Sequence, residues 1–322
     1  MMSRFLSCDW GTSSFRLRLV EAETFQLLSE ISTNQGIAST FSQWQQSDQT
    51  QTSRTAFYLN YVQSQIGQLA QQLSAEVEDL PLIFSGMASS SIGIEELPYG
   101  TLPFSLSGNG IFCHSIDATN DFPYTSYLIS GIRSEKDVMR GEETQLLGAF
   151  SQLKAKDGKA LYIFPGTHSK HIWIKEQRVI AFQTYMTGEF FDLLSTKSIL
   201  STSIAHHDGL ISDSFIEGVE AAKEAPLLQA SFWIRTQQLF GKLHKAENFD
   251  FLSGLLIGSE LKELVHHAAL PIYLCSGSRL SRPYRTALRQ LGFDHVTVLS
   301  DQQMDQAVVC GQHIIYQQML KQ

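Results

Sequence analysis

At 322 residues, 43% of them hydrophobic and 17% charged, the chain exceeds what one hydrophobic core usually serves, so two packed domains are expected. A formal net charge of −8 leaves no basic stripe to neutralise a phosphate backbone, which argues against a nucleic-acid partner and for small-molecule ligands. The stretch "MMSRFLSCDWGTSS" has no apolar run of signal-peptide length, no later segment approaches membrane-span length, and Cys8, Cys113, Cys275 and Cys310 are too scattered for a zinc knuckle or redox pair; the expectation is a cytoplasmic protein without membrane association.

Residues 4–9 and 15–20 read as two short strands, the second alternating Phe15, Leu17 and Leu19 with Arg16 and Arg18, and Trp10-Gly11-Thr12-Ser13-Ser14 turns between them. Leu59, Val62, Ile66, Leu69 and Leu73 fall at steps of three and four, the stripe of an amphipathic helix. A buried strand, "PLIFSG", follows. Gly86 breaks it and opens the loop "MASSSIGIEELPYG", whose small polar residues are numerous enough to line a pocket. In "VMRGEETQLLGAF" a helix is expected to start near Gly141.

"KALYIF", the turn "PGTHSK", then "HIWI" and "RVIAFQTYM" build a second hairpin. A helical stretch over "SFIEGVEAAKEAPLLQASFWIRTQQLF" and an apolar helix, "FLSGLLIGSELKELV", come next. The chain then reads as strand "PIYLCSGS", helix "RLSRPYRTALRQLG", strand "VTVLS" and helix "DQAVVCGQHIIYQQM". Gly11-Thr12-Ser13-Ser14 and Gly166-Thr167-His168-Ser169 occupy the same place between two strands, as an internal duplication would leave them. Two α/β halves facing across a ligand-binding cleft are expected.

Turns rich in Gly, Thr and Ser aim backbone N–H groups and hydroxyls into one concavity, an anion site, and two of them would grip a polyphosphate from both sides. Asp9 at the end of the first strand is placed to hold Mg2+, directly or through water, and Lys170 adds a positive charge at the second turn. His206-His207 and His266-His267 are set aside as metal ligands, since adjacent residues rarely face one ion.

With these residues in place the chain resembles the actin, hexokinase and heat-shock-ATPase superfamily, and over nearly its whole length it is similar to the 2-dehydro-3-deoxygalactonokinase family. "DWGTSSFR", "VMRGEETQLLGA", "PGTHSK", "MTGE", "FLSGLLIGSE" and the Gly-Ser-x-Leu of "GSRLSRPYRTAL" match that family's motifs in order. The resemblance implies two ribonuclease-H-like domains, over 1–140 and 141–322, in duplicated arrangement around an interdomain cleft. It places Gly11, Thr12 and Ser13 with Asp9 at the first phosphate site, Gly166, Thr167, His168 and Lys170 at the second, and Gly277 and Ser278 beside adenosine. It further implies Mg-ATP as co-substrate and phosphorylation of 2-dehydro-3-deoxy-D-galactonate at its terminal hydroxyl.

Phosphoryl transfer needs a carboxylate to accept the hydroxyl proton, and Glu142 and Glu143 are both candidates, Glu142 directly following Gly141. A sugar acid also needs a cation, for which Arg16 and Arg140 stand beside the motifs. Gly86 and Met87 open the acceptor-side segment, where Ser89 replaces a common glycine and Ile94 a common tryptophan, leaving the identity of the acid open. A related keto-deoxy acid as substrate, a non-catalytic sensor and a polyphosphate hydrolase remain rivals. Self-association into a homo-oligomer is compatible with the sequence.

Overall fold

The computed structural model describes residues 3–48, 51–73, 77–153, 158–206, 212–267 and 270–321. His207 and the side chain of His267 lie outside the described residues. The chain divides into two compact units, one formed by Met1–Asp157, Glu176–Ala181 and Gln302–Gln322, the other by Gly158–Lys175 and Phe182–Asp301. The boundary expected at 140/141 does not coincide with this division: residues 141–153 and 302–321 group with the N-terminal unit.

The first unit opens with an antiparallel meander, β1 (Arg4–Trp10), β2 (Phe15–Glu21) and β3 (Leu27–Thr33). Helices α1 (Ile37–Gln46) and α2 (Arg54–Leu73) follow, and β4 (Leu82–Gly86) returns parallel to β1. Short strands β5 (Gly100–Thr101), β6 (Phe104–Ser105) and β7 (Cys113–Ile116) lead to β8 (Ser126–Ile129), parallel to β4. Next come β9 (Ile132–Arg133), β10 (Val138–Met139) and α3 (Glu142–Ser151). The main sheet runs β3-β2-β1-β4-β8-β7. Strand β1 is covered on both faces: Leu6, Cys8 and Trp10 join the core built on the α2 stripe of Tyr58, Val62, Ile66 and Leu69.

In the second unit β11 (Lys159–Phe164), β12 (Ser169–Lys175) and β13 (Arg178–Tyr185) form the meander, and α4 (Thr187–Thr196), α5 (Asp213–Glu224), α6 (Leu227–Leu239) and α7 (Lys245–Leu261) follow. Strand β14 (Ile272–Leu274) pairs parallel to β11, α8 (Ser278–Gln290) crosses over, and β15 (Val296–Val298) pairs parallel to β14. The strand order β15-β14-β11-β12-β13 repeats the order of the first unit, a three-strand meander extended from its first strand by parallel strands, so the ribonuclease-H-like arrangement occurs twice. The start of β13 groups with the first unit, where Arg178 and Val179 pair with Ser105 and Phe104 of β6.

The last helix, α9 (Asp301–Met319), belongs to the first unit from Gln302 onward. On the β1 face opposite α2, Phe5 meets His313 of α9 at 5.8 Å between ring centroids, and buried Gln312 donates to Cys8 O at 3.1 Å and Ser85 Oγ at 2.8 Å. α9 lies so close to α3 that a Cβ at Gly148 would stand 1.8 Å from Ala307 O, and one at Gly311 the same distance from Thr144 O. Helices α5 and α7 repeat the device: a Cβ on Gly218 would stand 2.2 Å from Phe251 O, and one on Gly254 2.0 Å from Phe215 O.

The helical stretch expected across 214–240 is two helices, because Ala225 is extended at φ −138° ahead of Pro226, which has no N–H to continue the ladder. Among the described residues no helix is long and apolar enough to cross a membrane.

Candidate active site

In the first unit three chain segments meet at the ends of β1 and β4. Gly11 N–H closes the first hairpin on Ser14 O at 2.9 Å, leaving Thr12 and Ser13 exposed at the tip. The turn is braced by α1, whose Ile37 and Ala38 N–H groups donate to Gly11 O and Thr12 O at 3.0 and 3.1 Å. Gly36 permits this approach, since a Cβ there would lie 2.3 Å from Thr12 O.

Gly86 adopts φ +78° and Gly141 φ +109°, regions that favour glycine. A Cβ on Gly86 would meet Trp10 O at 2.8 Å and Asp9 Oδ1 at 3.3 Å, and one on Gly141 would meet Gly86 Cα at 3.3 Å. Asp9 and the N-terminus of α3 are thereby neighbours. Desolvation pushes the Asp9 carboxyl up, Arg16 and Arg18 draw it back, and Glu142 raises it again.

The two acids at the start of α3 differ. Glu143 is 1% exposed, its carboxyl accepting from Gly141 N–H at 2.7 Å and Thr144 Oγ1 at 3.0 Å. Burial first, and Glu142 second, push it up to about 7. Glu142 is half-buried and accepts from Arg140 N–H at 3.0 Å. A value near 7 suits a base, but the Glu143 carboxyl is buried and bonded to its own helix start, whereas the Glu142 side chain is partly exposed. Access favours Glu142.

Arg140 is fixed in place: its Nη1 donates to Ser89 O at 2.5 Å and Ser89 Oγ at 2.6 Å, and its Cζ lies 4.3 Å from the centroid of the Tyr99 ring. The Ser89 hydroxyl donates in turn to Ile129 O at 2.5 Å. The buried Nε–H of Arg140 has no hydrogen-bond partner. Arg16, more exposed, stands 3.9 Å from both Glu30 and Asp305, loose surface pairs. Met87 begins a short 3₁₀ turn ending at Ser89, and its carbonyl accepts from Ser90 Oγ at 2.8 Å.

The second unit carries an open cavity of about 490 Å3 that brings Gly166 and Thr167 together with Ser278. Ser278 starts α8, and Gly277 is its extended N-cap, 4.0 Å by Cβ from Asp301 Oδ1. Phe191, Phe249 and His206 form an aromatic wall, Phe249 meeting each of the other two edge-on at 5.0 Å. As in the first unit, a helix start braces the hairpin: Glu189 N–H donates to Thr167 O at 3.1 Å, and a Cβ on Gly188 would lie 2.7 Å from Gly166 O. His168 does not line the cavity; its Nε2 contacts Glu189 Oε2 at 2.5 Å. Lys170 is 4% exposed with Nζ donating to His168 O at 3.0 Å, inside the turn rather than projecting from it.

Sequence reasoning assigned no role to Thr187, Gly188 or the aromatic wall. The "MTGE" motif was the available signal, whereas Phe191 of α4, Phe249 of α7 and His206 of the loop after Ser203 converge only in the folded unit.

A family model described as 2-keto-3-deoxy-galactonokinase matches residues 9–312. The chain belongs to that family. It is 34% identical over 305 residues to a probable 2-dehydro-3-deoxygalactonokinase of Rhizobium meliloti (strain 1021), covering 92% of this chain and 93% of that protein. To the 2-dehydro-3-deoxygalactonokinase of Escherichia coli (strain K12) it is 32% identical over 231 residues, 70% of this chain and 75% of that one. The crystal structure of a protein from Sinorhizobium meliloti, provisionally named a 2-dehydro-3-deoxygalactonokinase, aligns with a TM-score of 0.78 at 30% identity, over 98% of this chain and 96% of that one. Membership of the galactonokinase family makes the chain a carbohydrate kinase, a phosphotransferase with an alcohol group as acceptor.

Proposed function

We propose that this kinase transfers the γ-phosphoryl group of Mg-ATP to the terminal (6-) hydroxyl of 2-dehydro-3-deoxy-D-galactonate, giving 2-dehydro-3-deoxy-6-phosphogalactonate, in the cytoplasm. The observation that carries the reading is the start of α3 beside Asp9: the half-buried Glu142 carboxylate follows Arg140, whose guanidinium is held on Ser89 and over the Tyr99 ring. Arg140 receives the sugar-acid carboxylate, for which a guanidinium edge is shaped. Glu142 accepts the hydroxyl proton as the oxygen attacks. Gly86 and Met87 shape the acceptor side, with Arg16 adding positive charge near Asp9.

Among the described residues no three His, Cys, Asp or Glu side chains gather as a metal cage. That suits Mg2+, which keeps waters and takes one or two carboxylates plus phosphate oxygens. Asp9, raised by burial and by Glu142, is the carboxylate such a cation would relieve, and the cation would supply charge neutralisation of the phosphates. Gly11, Thr12 and Ser13 offer N–H and hydroxyl donors to phosphate. Gly166 and Thr167 do so beside the cavity, where Ser278 with Gly277 borders adenosine, and His168 and Lys170 stiffen the second turn.

Ser89 favours a second reading, a related keto-deoxy sugar acid as acceptor, because its hydroxyl sets the pose of Arg140 where the family commonly has glycine. An ADP-release screen over keto-deoxy sugar acids and ordinary hexoses separates the two. Turnover of 2-dehydro-3-deoxy-D-galactonate above all others supports the first reading; preference for another keto-deoxy acid supports the second. ADP release without any acceptor would sink both.

A further inference from the structure

The cavity of the second unit takes its walls from segments far apart in the chain: the turn before β12, the start of α4 with Thr187 and Gly188, and α8 with Ser278 and Tyr284. Glu260, near the end of α7 and 2% exposed, stands where side chains of these segments converge. Its Oε1 accepts from Ser169 Oγ at 2.6 Å and from His171 Nε2 at 2.9 Å. Its Oε2 accepts from Tyr284 Oη at 2.6 Å and from Thr187 Oγ1. Four side chains on three elements thus end on one carboxyl group. Its acceptor sites are used in full.

The arrangement is costly for packing alone. Ser169, His171 and Tyr284 are as buried as Glu260, and an apolar side chain of similar volume would fill the space without desolvating a carboxyl group. His171 carries a further cost, since an acceptor-only partner keeps the ring proton on Nε2 and leaves the buried Nδ1 without a partner. Burial, reinforced by Glu260, pushes the Tyr284 phenol well up, so it stays a donor. Each donor in turn fixes something the cavity needs. Ser169 and His171 hold β12 just beyond the Gly166–Thr167 turn. Thr187 holds the start of α4, whose Gly188 and Glu189 press on that same turn. Tyr284 holds α8 on the side of Ser278.

We propose that Glu260 is a positioning residue for the nucleotide: it keeps the phosphate turn and the adenosine-side helix at a fixed separation. The inference rests on the reading of this cavity as the nucleotide site. In calorimetric titrations of the full chain, Glu260→Gln, which replaces an acceptor oxygen with a donor, is expected to weaken ADP about tenfold or more, the loss of about one strong hydrogen bond. Thr187→Val removes one hydroxyl and no packed volume, and is expected to weaken ADP while leaving adenosine unchanged. Tyr284→Phe should weaken ADP and adenosine by the same factor. KM for the sugar acid should stay at the wild-type value in all three.

A carboxyl group that served stability alone would, in Glu260→Gln, lower the melting temperature and leave both ADP and adenosine affinity at the wild-type values, and that result overturns the proposal. If Glu260→Gln fails to fold, the two single-hydroxyl variants carry the test, and wild-type affinity in both overturns it. Ser253→Trp, which fills the cavity from α7, separates this inference from the reading beneath it. ADP bound as tightly by Ser253→Trp as by the wild type overturns the cavity assignment. ADP lost by Ser253→Trp but held normally by the Glu260, Thr187 and Tyr284 variants overturns the positioning role alone.

Discussion

Glu142 and Glu143 are adjacent in sequence and opposite in circumstance, so their variants are expected to diverge. Glu142→Gln should lower kcat by about 100-fold or more with nucleotide affinity little changed, as for a base needed only in the transition state. Glu143→Gln should keep most of the turnover; steady-state kinetics on both variants checks the assignment, and the reverse pattern would move the base by one residue. Glu143 should instead be visible in stability. Its folded value of about 7 lies above the ordinary 4.5, so between those pH values the folded chain binds more protons than the unfolded one, and stability falls as pH rises. The penalty saturates above pH 7 at on the order of 3 kcal/mol. Urea midpoints at pH 5 and pH 8 should therefore differ less in Glu143→Gln than in the wild type. The sequence named both acids and leaned to Glu142 because it follows Gly141, but the burial that separates them comes from tertiary packing, which no local pattern reports.

Elements that bury a regular stripe were legible, and those that bury little were not. The alternation in β2 and the three-and-four spacing in α2 announce themselves because each has one face against a core. Strand β3 buries only Ile31 and α4 has no fully buried residue, so neither leaves a periodic trace. Yet α1 and α4 are the helices that brace the two hairpins, through glycines whose role is proximity rather than pattern. Gly36→Ala would force α1 off Thr12 O and is expected to reduce turnover while the proposed nucleotide cavity of the other unit still binds ADP. The crossing of α5 and α7 is as intolerant: a methyl group on Gly254 would stand 2.0 Å from Phe215 O, with backbone on the far side that cannot swing away. Gly254→Ala is expected to cost about 1–3 kcal/mol or more, read as a fall in the urea midpoint.

At the scale of the whole molecule, the duplication was readable from the two Gly-Thr turns, and the strand order confirms it. The discontinuity was not readable, because it depends on which face of β1 the last helix covers. The proposed base, metal carboxylate and sugar-acid cation, Glu142, Asp9 and Arg140, reside on one unit and the cavity with the Gly166–Thr167 turn on the other, so in the proposed reaction neither unit holds the full chemistry. If turnover aligns them, sugar acid and a non-hydrolysable ATP analogue should each tighten the other's binding by the same factor, within the usual range of about 1–3 kcal/mol. Calorimetric titration of each ligand with and without the other measures this, and equal affinities in both arms would contradict it. The path of the chain also sets a timetable. The second unit is complete by residue 301, whereas β1 waits for Gln312 to occupy the Cys8 carbonyl and Ser85 hydroxyl. On the ribosome the nucleotide-side unit should therefore mature first, although its strands are made later. Nascent chains stalled with residue 301 just clear of the exit tunnel are expected to yield a protease-resistant fragment spanning 158–301 while the segment before it is still digested.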